Sequence, residues 1–126
     1  MKVGLIYTVS TPEMCQYIET RMRAILGQKT KCLMLAAPEI LGEVMQAGSI
    51  PPSATRRLLK LYLQAMDAGC EAILNICSSV SPVAEAMAAL NPYLGAPVVS
   101  IDAAMCARAA ALDGPLAVVA TLPTAL

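Results

Sequence analysis

The feature that most constrains this chain is its alternation of short, nearly unbroken apolar runs with longer stretches of helical periodicity. Lys2–Thr8 (KVGLIYT), Lys31–Ala36, Glu71–Ile76, Pro97–Ile101 and Leu116–Ala120 are strand-length runs with little polar interruption. Strands buried on both faces read this way, because no face is left for alternating polar residues. Between them lie segments that place apolar residues three and four apart. Pro12–Leu26 aligns Met14, Tyr17, Ile18, Met22 and Ile25, and the helix opened by Pro51-Pro52 aligns Leu58, Leu59, Tyr62, Leu63 and Met66 before Gly69. Strand, helix, strand in repetition predicts a parallel sheet with crossover helices on both faces, a three-layer α/β fold.

Punctuation supports the segmentation. Ser10 is positioned to cap the first helix, with Pro12 in its first turn, Glu13 three residues on and Gly27 as the stop. Pro38–Ala47 reads as a short helix closed by Gly48, Ser81-Pro82 starts a helix to Leu90, and Asp102 can cap another to Leu112 before the Asp113-Gly114 turn. Five strands are expected, the last at Leu116–Ala120. The sequence stops six residues beyond that strand, before any covering helix, so the chain is expected to be cut rather than finished. No repeat, low-complexity tract or internal linker interrupts the 126 residues.

Composition narrows the function. Apolar residues make up 57% of the chain, with no Phe or Trp, so the core is built from aliphatic side chains and Met. Nine basic residues balance nine acidic ones, leaving no field to attract a nucleic-acid backbone. Arg56, Arg57 and Lys60 fall at helical spacing and read as a solvated face. The apolar runs are too short and too interrupted to span a bilayer, and no signal-peptide cleavage pattern follows Met1, so a cytoplasmic protein is expected with no membrane partner. The cysteines Cys15, Cys32, Cys70, Cys77 and Cys106 are odd in number and form no C-x-x-C pair. With no histidine and no paired cysteine spacing, no metal site is expected, and Ser-His-Asp and Cys-His catalysis are excluded within this chain. Dinucleotide and P-loop glycine motifs are absent.

In open parallel sheets ligands bind beyond the carboxyl ends of the strands, near a switch in strand order. That points to the loops after the first, third and fifth strands. The third carries Asn75-Ile76-Cys77-Ser78-Ser79-Val80-Ser81-Pro82, a cysteine between a strand end and a helix start. Thiol pKa values, ordinarily near ~8.5, fall beside helix N-termini and hydrogen-bond donors. Cys77 is therefore placed to act as a base or nucleophile and to be the most reactive of the five thiols, with Ser78 and Ser79 positioned to hold a carboxylate and an anion expected against the Ser78–Ser81 backbone. The same residues also read as a buried cysteine followed by an ordinary serine-rich cap. After the fifth strand, Thr121 and Thr124 flank Pro123, where hydroxyls could bind a second oxyanion or form a plain turn.

Four stretches, KVGLIYT, GCEAILNICSSVS, PVVSIDAAM and LAVVATLPT, together resemble the aspartate/glutamate racemase superfamily over essentially the whole chain. The resemblance implies one lobe of a two-lobe α/β fold, with residues 1–101 as the first lobe and 102–126 as a crossover helix and first strand of a truncated second lobe. It implies a cofactor-independent reaction on a small carboxylate or amino acid, in which one thiolate removes the proton alpha to a carboxylate and a second thiol returns it on the opposite face. By resemblance Cys77 is the first-lobe cysteine, Ser78 and Ser79 bind the substrate carboxylate, Thr121 and Thr124 line the site, and Thr8 and Ser10 contact substrate. The second cysteine has no counterpart, since Cys106 lies in a helical run ahead of the second lobe's own site. This chain is therefore expected not to racemise. Decarboxylation or cis–trans isomerisation by a single cysteine, or a non-catalytic fragment, are the alternatives. An apolar lobe face and an uncovered last strand lead us to expect a homo-oligomer.

Overall fold

A computed structural model describes residues 1–126. The chain forms β1 (Lys2–Tyr7), α1 (Pro12–Leu26), β2 (Lys31–Ala36), α2 (Pro38–Ala47), α3 (Pro52–Asp67), β3 (Ala72–Ile76), α4 (Ser81–Met87), α5 (Asn91–Leu94), β4 (Val98–Ser100) and α6 (Ala103–Ala110). Three-residue 3₁₀ turns lie at Ser78–Val80, Ala88–Leu90 and Pro123–Ala125. The four strands pair in the order β2-β1-β3-β4, all parallel. The chain steps to one side of β1 for β2 and then to the other side for β3. The switch in strand order therefore lies at the carboxyl ends of β1 and β3.

Strand alternation sorts the core into two layers. Val3, Leu5 and Tyr7 of β1 and Ile76 of β3 face α1, against Met14, Ile18 and Met22. Ile6, Ile73 and Val98 face the opposite way into the larger core, with Ile40 and Val44 of α2, Leu58 and Tyr62 of α3, and Ala84 and Met87 of α4. Helices thus cover both faces of one parallel sheet, as the run pattern predicts. Gly4 permits the close seating of α3 on β1, because a Cβ there would lie 2.9 Å from the Ala65 Cβ and 3.3 Å from Ile73 Cγ1. No helix is long and apolar enough to cross a membrane.

Three local expectations are corrected. Thr11, not Ser10, caps α1: its Oγ1 accepts from the Met14 N–H at 3.2 Å, and Pro12 then occupies the first helical position. The helix expected from Ser81 to Leu90 ends at Met87 and continues as a 3₁₀ turn and the short α5, stopped at Gly95 in the left-handed region. The expected fifth strand is absent. Leu116–Ala120 is irregular, with Val118 and Val119 77% and 92% exposed. A strand exists only through a ladder of backbone hydrogen bonds, and this segment pairs with no neighbour. It runs past α6 instead and brings Pro123–Ala125 against the Ser78–Val80 turn.

Candidate functional site

The register of β1 on β3 pairs Tyr7 with Ile76, so the next residues, Thr8 and Cys77, leave adjacent strand ends together at the switch point. Cys77 is half-buried and extended (φ −166°, ψ 112°), and the 3₁₀ turn begins immediately after it. Its carbonyl is held by side chain and backbone at once. Asn75 Nδ2 donates to it at 3.0 Å, the Val80 N–H donates at 3.3 Å, and Ser81 Oγ lies 3.4 Å away. Asn75 is itself fixed, because the Tyr62 hydroxyl donates to its Oδ1 at 3.1 Å and both side chains are fully buried. The one amide in an otherwise apolar strand is thus explained by the turn that follows it. Burial pushes the Tyr62 phenol well above the usual tyrosine range, and the proximity of Cys77 pushes it the same way.

The serines and threonines expected at the site divide into those the fold gathers and those it leaves apart. Ser79 Oγ and Thr124 Oγ1 are 2.9 Å apart, joining residues 45 positions distant in sequence. Ser78 and Thr121 line a shallow cavity of about 300 Å³, and Ser78 and Thr124 line an adjoining one of about 220 Å³. Thr8 is fully buried with its Oγ1 unpartnered, and it borders neither cavity. Ser10 is exposed and makes no hydrogen bond. Cys77 lies behind Ser78 and borders no cavity. At the Ser78–Ser81 turn, two N–H groups are already used internally, Val80 to the Cys77 carbonyl and Ser81 to the Ser78 carbonyl.

Two residues that line these cavities were not legible as site residues. Asp102, read as a helix cap, makes no capping bond with its side chain. Its Oδ1 instead accepts from Ser81 Oγ at 2.7 Å and from Ser100 Oγ, while the two hydroxyls meet at 2.6 Å. Ser81 has one proton, and the charged, nearer acceptor takes it in preference to the Cys77 carbonyl. Burial raises the Asp102 carboxyl, but the hydroxyls of Ser100 and Ser81 and its own N–H outweigh that, so its pKa lies below the usual aspartate value. The available signal was the Ser100-Ile101-Asp102 spacing just past a strand end. Cys106, one helical turn after Asp102, is the exposed thiol and borders both cavities. Burial raises the thiols of Cys32 and Cys70 above the ordinary range.

Comparison with curated proteins and with solved structures returns no match. A family model described as Asp/Glu/Hydantoin racemase matches residues 3–126, nearly the full length, including the Cys77 turn and the Thr121–Thr124 segment. A match of that extent, over a parallel α/β lobe whose strand ends carry the Cys-Ser-Ser turn, means that this chain belongs to the Asp/Glu/Hydantoin racemase family.

Proposed function

We propose that this chain provides one thiol half of a cofactor-independent amino-acid racemase site, with Cys77 removing or returning the proton alpha to a carboxylate. One observation carries the reading: of the five cysteines, Cys77 alone follows the carboxyl end of a strand, at the switch point, with its carbonyl tethered by Asn75 and Val80. Cys15 lies on α1, Cys32 within β2, Cys70 before β3 and Cys106 on α6. Those bonds fix the backbone from which the thiol projects, so the base starts from a set position during proton transfer. Ser78, Ser79, Thr121 and Thr124 supply hydroxyl donors for the substrate carboxylate, and Thr8 and Ser10 belong to the loop beside them.

Inversion requires a second acid on the opposite face of the carbon, and no other cysteine follows a strand end. Removing one acid/base partner typically lowers rate by ~10²–10⁴-fold. The 126-residue chain is therefore inactive as a racemase. What one thiol can do is return a solvent-exchanged proton to the face it came from. The same single-thiol count favours a second reading, decarboxylation or cis–trans isomerisation of a small dicarboxylate.

The test is ¹H NMR in D₂O with aspartate, glutamate, hydantoins and valine, paired with polarimetry. Slow alpha-deuteration without inversion is expected, lost in Cys77→Ser and kept in Cys15→Ser. Deuteration that survives Cys77→Ser, or none with any substrate, overturns the thiol assignment. Rapid inversion by this chain overturns the half-site, and turnover of a dicarboxylate without alpha-deuteration selects the second reading.

A further inference from the structure

Every charged side chain that borders the cavities beside the Cys77 turn is an acid: Asp102 borders both, Glu85 borders the smaller, and no lysine or arginine borders either. Asp102 is held by hydroxyls from two elements, Ser81 at the start of α4 and Ser100 at the end of β4, each only 4% exposed. Both hydroxyls meet Oδ1, which fixes the carboxylate and leaves Oδ2 with no side-chain donor. An ionised, oriented carboxylate at cavities whose other polar side chains are hydroxyls, the Cys106 thiol and Glu85 calls for a cationic hydrogen-bond donor from the ligand. The larger cavity also adjoins a wholly apolar one of about 250 Å³, sharing Met105, Cys106, Val118 and Val119 with it and extending to Ala109 and Ala117.

We propose that Asp102 binds the ammonium group of the ligand and that the site takes a zwitterionic amino acid with an aliphatic side chain. The ligand carboxylate meets the hydroxyls of Ser78 and Thr121, the ammonium meets Asp102, and the side chain enters the apolar cavity beside Val118 and Ala109. A second ligand carboxylate would find no cationic partner and would face Asp102 and Glu85, so aspartate and glutamate are disfavoured. A hydantoin ring lacks the ammonium. The proposal rests on these cavities being the site of the preceding reading, and it is independent of what Cys77 does.

The experiment is an NMR titration of the ¹⁵N-labelled chain with valine, with 3-methylbutanoate (valine without its ammonium), with aspartate and with hydantoin. Valine is expected to shift the amides of Ser78, Asp102, Cys106 and Thr121 saturably. Loss of one partly exposed charge-assisted hydrogen bond predicts that 3-methylbutanoate binds about three- to tenfold more weakly. Asp102→Asn keeps an acceptor for both serines, and it should weaken valine by the same factor and leave 3-methylbutanoate unchanged. The ligand comparison on the unmodified chain stands even if the variant does not fold. Equal binding of valine and 3-methylbutanoate, tighter binding of aspartate or hydantoin, or no saturable shift with valine overturns the proposal. Valine binding without any Cys77-dependent exchange would overturn the thiol reading alone, and Cys77-dependent exchange of hydantoin with no valine binding would overturn this one alone.

Discussion

Replacing Asn75 by Ala tests whether the buried amide ties the core to the Cys77 turn. The substitution removes two hydrogen bonds, one from the Tyr62 hydroxyl at 3.1 Å and one to the Cys77 carbonyl at 3.0 Å. They are not equivalent. The Cys77 carbonyl keeps the Val80 N–H, so its loss is that of an ordinary bond, about 1 kcal/mol. The Tyr62 hydroxyl has no other partner and is fully buried, so orphaning it adds about 1–3 kcal/mol. The sum is about 2–4 kcal/mol, a large share of the ~5–15 kcal/mol that holds a domain together. For a domain of this length each kcal/mol moves Tm by about 4 °C, so a fall of about 8–16 °C is expected. Tyr62→Phe deletes the hydroxyl but leaves the buried Asn75 Oδ1 without a donor, so it should cost about 1–3 kcal/mol. The double variant should then be less destabilised than the sum of the singles by at least about 2 kcal/mol, since neither partner is left orphaned. Guanidinium unfolding of the four proteins measures all three quantities. Strict additivity, or a loss below about 1 kcal/mol for Asn75→Ala, would refute the network argument.

The close seat of α3 on β1 predicts that Gly4→Ala destabilises by about 1–3 kcal/mol, because the added Cβ meets the Ala65 Cβ at 2.9 Å; unchanged thermal unfolding would refute it. Tyr7 and Tyr62 both have pKa values raised by burial, with nearby thiols adding to the shift, so each is neutral in the fold where the unfolded chain ionises. Their stabilisation is present below the unfolded tyrosine pKa of ~10 and is lost as pH climbs from there toward the raised folded values, by up to about 1.4 kcal/mol per pH unit each. Tyr62→Phe should shallow that alkaline slope, and an unchanged slope counts against it. Limited iodoacetamide labelling at neutral pH should modify Cys77 ahead of Cys15, Cys32, Cys70 and the exposed Cys106, as read by mass spectrometry; Cys15 or Cys106 labelling first would overturn the site assignment. The chain exposes 7793 Å², against about 6,400 Å² for a compact monomer of its size, an excess of about 1,400 Å² that is more than the ~800 Å² each partner gives a stable interface. Sedimentation should therefore show self-association, shifted toward monomer by Val118→Asp/Val119→Asp; a clean monomer throughout would refute it.

What the residues determine locally was legible from their order. Uninterrupted apolar runs mark the first four strands because a strand covered on both faces tolerates few polar side chains, and helical spacing in Pro12–Leu26 and in the segment after Pro51 marks faces that seat on that sheet through Met14, Ile18, Met22, Leu58 and Tyr62, while Tyr17, Ile25 and Leu63, read on the same faces, are exposed. The position of Cys77 between a strand end and a serine-rich turn followed from the same local grammar. Tertiary structure alone decided everything that depends on a partner far along the chain. Ser10 and Thr11 are both good caps, and backbone direction into Pro12 chose Thr11. Leu116–Ala120 has the composition of a strand, yet a strand also needs a neighbour to bond, and none is beside it. Asp102 looked like a cap because capping is read within one helical turn. Of its real partners Ser100 lies two residues away, but Ser81 joins them only after β3 and β4 pair and α4 packs back across β4. Burial periodicity is written along the chain, whereas hydrogen bonds between distant residues are set by how the crossovers stack, and the sequence carries no local record of that.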